Sequence, residues 1–327
     1  MLNLVATRRS TRVSGRCGLI RDRKFLEGAR VAEANLFHGE YYVALDDVEL
    51  SYTVSGSGPP LFAVSAGWGP GSSYLTRGLA PLTLDFTLVS IATRGSGKSS
   101  RPRDETAMGS ADMARDVEGL RQHLGLPFID LLGHSNGGAI AISFAEQFPK
   151  SCRRLVLVDS QLLGFDGSDA THAILAKRHD DPRYSEAVSN FRSATTAFDD
   201  VSFTNWLISF FPLYFYDPEA NAQKMADTLD LPIRAWCAEK QWAIDRRPSA
   251  AQVDQLSLIT AKTLIVVGED DFITPVPVSE RIRDCIRNSR LKVLSACGHV
   301  PWIEQPTLFF KEVSSFLKVP LEDEKDR

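Results

Sequence analysis

Cysteine, methionine and histidine are scarce in this chain: its 327 residues include 5 Cys, 4 Met and 6 His. The cysteines are Cys17, Cys152, Cys237, Cys285 and Cys297, widely scattered and without a C-x-x-C pair. That pattern excludes a disulfide framework and a zinc cluster as organising devices, and it makes a reducing compartment the default. Basic excess is also lacking. Lys and Arg total 37 against 41 Asp and Glu, a net charge of −4, which removes the electrostatic case for nucleic acid as a partner. No apolar run approaches the ~18 residues that a membrane-spanning helix needs. Internal repeats and low-complexity blocks are absent too. What remains is an ordinary globular composition, 43% apolar and 24% charged. Such a chain can bury a large core unaided, as one large domain or two smaller ones.

Residues 1–39 read as a basic extension outside the fold. Before Asp22 they carry Arg8, Arg9, Arg12, Arg16 and Arg21 with Ser and Thr interspersed and no acid. This composition suits either a disordered extension or a mitochondrial transit segment, so a cytoplasmic location is expected, with a mitochondrial one as the alternative. The apolar stretch Leu2 to Ala6 is too short for a secretory signal. At the other end, residues 321–327 read as a charged, frayed tail.

From Tyr41 onward, strand-like and helix-like runs alternate. Val48 to Val54 alternates apolar with polar side chains, the mark of a half-buried strand, and Gly56-Ser57-Gly58-Pro59-Pro60 ends it. Short, nearly continuous apolar runs follow at Leu61–Val64, Phe86–Ile91, Phe128–Leu132, Leu155–Val158, Thr263–Val267 and Leu291–Leu294. Runs of this kind fit strands covered on both faces. Between them, helical spacing links Met113, Val117, Leu120 and Leu124, then Ile140, Phe144 and Phe148, then Val278, Ile282 and Cys285, and finally Phe309, Val313 and Phe316. The alternation predicts an α/β fold with a mainly parallel central sheet flanked by helices. It is interrupted once, over 163–252, where no sheet strand is evident and aromatics are dense: Phe203, Trp206, Phe210, Phe211, Tyr214, Phe215, Tyr216, Trp236 and Trp242. This stretch reads as a helical cap, leaving 40–162 and 253–320 as the core.

Gly133-His134-Ser135-Asn136-Gly137 follows a buried strand and opens an apolar helix. This is G-x-S-x-G in the strand–turn–helix setting that gives the motif meaning: a sharp turn lifts the serine hydroxyl above the sheet at a helix N-terminus, which favours developing negative charge. A serine needs a base. His134 adjoins Ser135 and should point away as a packed support. His299, in Cys297-Gly298-His299-Val300-Pro301-Trp302 just after the last strand run, is the candidate base. The orienting acid should follow another strand, where Glu269, Asp270 and Asp271 stand in a row and Asp159 is a further candidate. The chain order serine, acid, histidine differs from the orders of trypsin-like and subtilisin-like enzymes. Two other motifs carry less. Gly97-Lys98-Ser99 lacks the glycine a phosphate-binding loop needs at Ala92. The aromatic run Phe203 to Tyr216 has no interleaved basic residues, which suits the apolar lining of a cap rather than base stacking.

From about Tyr41 to Val319 the chain resembles the α/β-hydrolase family, in particular its proline iminopeptidase-like branch with esterase and lactonase relatives. The resemblance implies a metal-free, cofactor-free serine hydrolase acting on a small molecule, with the cap inserted after the sixth strand. In that family the acid stands at the fourth position of G-x-x-D-x-x-x-P, which selects Asp271 between Gly268 and Pro275. An H-G-G-P-G-like loop is implied at Ser65-Ala66-Gly67-Trp68-Gly69-Pro70-Gly71, with Ser65 or Ala66 in place of its histidine and Trp68 in place of a glycine. The backbone N–H of Trp68, or of Gly67, and that of Asn136 are the implied oxyanion donors. The family's D-x-R-G-x-G-x-S segment occurs at Ala92–Ser99, with Ala92 replacing the acid.

An aromatic cap suits a small apolar ester or lactone. By helical spacing, Trp206, Phe210 and Tyr214 are the expected pocket wall. An aminopeptidase is the alternative. It would grip a free amine with a cap acid such as Glu186, Asp199, Asp200, Asp217 or Glu239. A third reading is a non-hydrolytic member of the fold, a ligand binder or natural-product catalyst.

Overall fold

A computed structural model describes residues 36–193, 199–230 and 232–320. Most of the basic extension, 1–35, and the charged tail, 321–327, lie outside the described residues. The apolar runs form strands β1 (Gly39–Leu45), β2 (Val48–Gly56), β3 (Pro60–Val64), β4 (Thr87–Ile91), β5 (Ile129–His134), β6 (Cys152–Val158), β7 (Lys262–Gly268) and β8 (Ser289–Leu294). They pair into one sheet in the order β1-β2-β4-β3-β5-β6-β7-β8. The pairs β1–β2 and β2–β4 are antiparallel, and all the others are parallel. The sheet is the mainly parallel one that the alternation predicted.

Alternate residues of each central strand face opposite sides, and both sides are covered. Leu61, Ala63, Leu132, Val156, Leu264 and Val266 join one apolar core, whereas Phe62, Val64, Leu131, Leu155, Leu157 and Ile265 join the other. Helices α1 (Ser73–Gly78), α2 (Ser110–His123) and α3 (Asn136–Gln147) precede β6, and α9 (Val276–Cys285), α10 (Pro301–Glu304) and α11 (Pro306–Lys318) follow β7. The apolar stripe Met113, Ala114, Val117 and Leu120 of α2 is buried, as are Phe309, Val313 and Leu317 of α11. Phe316, expected in that last stripe, lies only partly buried beside it.

Between β6 and β7 stand α4 (Ser168–His179), α5 (Ser185–Arg192), α6 (Asp200–Ser209), α7 (Pro218–Ala226) and α8 (Ala235–Asp245). These helices form a cap after the sixth strand. Their apolar residues are not a separate core: Phe203, Leu207, Phe210, Phe211 and Tyr214 belong to the same cluster as one face of the sheet. The aromatic stretch is not one continuous helix. α6 stops at Ser209, and Phe211–Tyr214 continues as a 3₁₀ turn with Pro212 in its first positions. Proline lacks the N–H that an α-helix interior requires there.

Register brings the carboxyl ends of the central strands to one edge. Val64 lies beside Gly133, His134 beside Val158, Val158 beside Val266, and Gly268 beside Leu294. Open α/β sheets hold their ligands at this edge.

Candidate active site

Ser135 stands between β5 and α3 with φ 56° and ψ −124°, a conformation rare for a residue with a Cβ. Its flanking glycines are there because the backbone leaves no room. A Cβ at Gly133 would sit 2.3 Å from the Gly137 carbonyl oxygen, and one at Gly137 would sit 2.4 Å from that of Val64. The turn is fixed by Ser135 N–H donating to Val158 O (3.0 Å) and by the Gly138 and Gln161 N–H groups donating to Ser135 O (2.9 and 3.0 Å). The Ser135 hydroxyl makes no hydrogen bond among the described residues, and the residue is 9% exposed.

His299 follows β8 in a loop that the cap and α10 hold. Its N–H donates to Tyr214 O (2.7 Å), and the preceding Gly298 N–H donates to the Glu304 carboxylate (2.6 Å). The ring is buried, and Nδ1 lies 2.8 Å from Asp271 Oδ2. With Nδ1 so engaged, Nε2 is the ring nitrogen left for chemistry. Ser135 and His299 line the same narrow slot of about 20 Å³, together with Ala66, Trp68, Tyr74 and His134.

Of the candidate acids, the structure brings Asp271 to His299. Its other contacts hold it as an acceptor: Ile273 N–H donates to Oδ1 (2.8 Å) and Thr274 Oγ1 lies 2.6 Å from Oδ2. Burial alone would raise the Asp271 pKa, but the facing imidazole and these hydrogen bonds outweigh it, and the carboxyl is held below its ordinary value. Asp159 is close by without taking that role. It is fully buried at positive φ (43°) and accepts from Gly268 N–H through Oδ1 (2.8 Å). Burial, and then the charge of Asp271, push its carboxyl well above the usual range. Asp159, Asp271 and His299 form a grouping of metal-ligand types, with one atom from each within 4.8 Å of the others. The Asp271 and His299 atoms are spent on each other, which leaves the trio poorly suited to hold a metal ion. His134 is the packed support expected. Its Nε2 lies 2.8 Å from His299 O, its ring contacts Tyr74, His299 and Trp302, and burial pushes its pKa down to about 3.

Of the oxyanion candidates, Gly67 is taken out. Its N–H donates to Asn136 Oδ1 at 2.8 Å and is not free for a ligand. Neither the Trp68 nor the Asn136 amide donates to an acceptor among the described residues. Both residues line, with Ser135, a larger cavity of about 380 Å³. Trp206, Phe210 and Tyr214, the three aromatics expected in the pocket, all line that cavity. Phe191, Leu207, Trp242 and Ile273 extend its apolar wall, and Gln161, Thr274 and Arg246 add polar groups.

Spacing alone did not reveal Gln161, Gln241, Asp245, Glu304 or Arg246. Thr274 could have been found, since it stands between Asp271 and Pro275. Of the acids considered for gripping a free amine, none lines the cavity. Asp199 and Asp217 cap α6 and α7, and Asp200 accepts from Ala235 N–H (2.9 Å).

A family model described as alpha/beta hydrolase fold matches residues 69–306. The chain belongs to the α/β-hydrolase fold family. It is 30% identical over 268 residues to a 2-hydroxy-6-oxo-2,4-heptadienoate hydrolase of Pseudomonas putida, a match covering 81% of this chain and 87% of that protein. It is also 25% identical over 231 residues to a proline iminopeptidase of Lactobacillus delbrueckii subsp. lactis, covering 68% and 77%. Among solved structures, an esterase from Exiguobacterium antarcticum superposes with a TM-score of 0.66 at 22% identity, covering 86% of this chain and all (100%) of that one. The relatives are hydrolases, and this α/β-hydrolase is an enzyme of that kind. Among the described residues, no helix is long and apolar enough to cross a membrane.

Proposed function

We propose that this hydrolase cleaves a small, largely apolar ester or lactone through Ser135, His299 and Asp271. The observation that carries the reading is the cavity of about 380 Å³, walled by Trp206, Phe210 and Tyr214, that opens on Ser135. In this mechanism His299 Nε2 takes the Ser135 proton as Oγ attacks the substrate carbonyl. The Asp271 carboxylate keeps Nδ1 protonated and stabilises the imidazolium that forms. The Trp68 and Asn136 amides receive the oxyanion at the positive end of α3. His299 returns the proton to the departing alkoxide, and a water deprotonated by His299 then releases the acyl group.

The test is a fluorophosphonate probe with p-nitrophenyl esters, lactones and proline arylamides as substrates. Wild type should be labelled and Ser135→Ala should not, with esters or lactones turned over fastest. Labelling that persists in Ser135→Ala sinks the nucleophile assignment, and preferred cleavage of proline arylamides sinks the substrate class. A wild type that is neither labelled nor active would make it a non-hydrolytic member of the fold.

One observation favours a second reading, a substrate that also carries a carboxylate. Arg246 lines the cavity, with its guanidinium carbon 5.9 Å from the centre of the Trp242 ring, and no acid pairs with it among the described residues. The Pseudomonas putida relative is named for an acid of that sort. Arg246→Ala should then slow acid-bearing substrates about ten-fold more than neutral ones, the loss of about 1.4 kcal/mol.

A further inference from the structure

The cap reaches the candidate oxyanion loop through a chain of buried polar groups. Gln241 of α8 is fully buried, and its Nε2 donates to Asn136 Oδ1 (2.6 Å) and to Asp245 Oδ2 (3.0 Å). Asp245, one turn later, holds the N-terminus of α2: it accepts from Ser110 N–H (2.9 Å) and from Ser110 Oγ–H (2.6 Å). Asn136 Oδ1 also accepts from Gly67 N–H (2.8 Å), while its Nδ2 donates to Gln161 Oε1 (3.0 Å). Thus the amide of Asn136 is gripped on one oxygen by a cap residue and by the loop that precedes Trp68. The far side of that loop also touches the cap, since Arg234 N–H donates to Gly69 O (3.2 Å). A Cβ at Gly67 would lie 2.9 Å from Gln241 Nε2, which shows how closely the cap side chain covers this peptide.

We propose that Gln241 is a positioning residue for the oxyanion hole, fixing through the Asn136 side chain the Ala66–Gly67 peptide, which adjoins the peptide carrying the Trp68 N–H, so that cap docking and oxyanion geometry are set together. The inference rests on Ser135 being the nucleophile. Gln241 reaches no substrate itself. It acts by removing the rotational freedom of Asn136, whose oxygen holds the loop and whose own backbone N–H is a donor. A donor group must sit within a few tenths of an ångström of where the oxyanion forms, and losing one such donor outright costs ~100-fold or more in turnover. Loosening the support of both donors should cost less, about ten-fold.

The experiment uses Gln241→Leu and the isosteric Gln241→Met, with active sites titrated by fluorophosphonate so that rates refer to folded enzyme. Failure of wild type to be labelled at Ser135 would defeat the underlying reading. With labelling in hand, both variants should lose about ten-fold in kcat on a p-nitrophenyl ester with KM within about two-fold. Their affinity for a phenylboronic acid, which forms a tetrahedral adduct on the serine, should fall by the same factor. Asn136→Ala combined with Gln241→Leu should lose no more than Asn136→Ala alone, because the two act through one link. A kcat per titrated site equal to wild type, with only the thermal midpoint lowered, overturns the proposal. So does an effect confined to KM, or strict additivity with Asn136→Ala.

Discussion

The backbone of Ser135 stores strain, and the strain can be measured by replacing the residue with two others that lack the hydroxyl. Ser135→Ala removes the hydroxyl and keeps a Cβ in a conformation of φ 56° and ψ −124°, whereas Ser135→Gly removes both. A side-chain-bearing residue held in such a region costs ~1–3 kcal/mol. Glycine forfeits ~0.4–1 kcal/mol of that relief through the extra freedom of its unfolded chain. It also forgoes the burial of one methyl group, at most ~0.8 kcal/mol. The balance leaves Ser135→Gly more stable than Ser135→Ala by about 1 kcal/mol, or ~1.5 °C in melting temperature for a chain of 327 residues. The comparison is made by urea denaturation, where the midpoint should move and the slope should not. Ala296→Gly is the control: it stands at positive φ (51°) outside the candidate machinery and should gain a similar amount without loss of turnover. A Ser135→Gly no more stable than Ser135→Ala would refute the strain, and with it the view that the turn is imposed on the serine by its surroundings.

Asp271→Asn keeps the shape but turns an N–H toward His299 Nδ1 or leaves the wrong tautomer, and turnover should fall ~10³- to 10⁴-fold with ester KM little changed; a loss below ten-fold would reassign the orienting acid. His134 is held neutral by burial, and its folded pKa of about 3 lies below the ordinary histidine value of ~6.5. Because the unfolded chain binds the proton first, the stability present above pH 6.5 is lost as pH falls from there toward 3, about 2 kcal/mol of it by pH 5. In His134→Gln the urea midpoint should change less over that window, and an unchanged acid limb would assign the loss to other groups. Trp206→Leu should raise KM for apolar esters about ten-fold while shifting the melting temperature by only a few degrees; the reverse pattern would make the ring a packing element alone.

The fold was legible because its strands are short, apolar and bounded by turn residues, and because the helices between them carry clean stripes such as Met113, Val117 and Leu120. Ser135 was legible for a local reason, since the elbow's steric demands write glycine at 133 and 137. Asp271 was reached through the family spacing, because three adjacent acids have no distinguishing local pattern. The fate of Gly67 was hidden: its N–H is claimed by a side chain 69 positions away, and only the fold brings them together. The Gln241 link is hidden for the same reason, spanning 105 positions to Asn136. The end of α6 at Ser209 was written in Pro212, a breaker that the spacing of the aromatics masked.

Tyr214 offers a carbonyl to His299 N–H, and a Cβ on Gly298 would come within 2.1 Å of that same oxygen. The candidate base therefore rests on main chain contributed by the cap. Recombination that swaps caps between relatives, whether in evolution or in a library of chimeras, would exchange part of the histidine's seat along with the substrate walls. A transplanted cap that presents its carbonyl half an ångström elsewhere would tilt the imidazole even with Ser135, Asp271 and His299 untouched. A chimera whose C-terminal crossover lies beyond Glu304, rather than at the end of the insertion, would keep the Tyr214 carbonyl and the His299 loop from one parent.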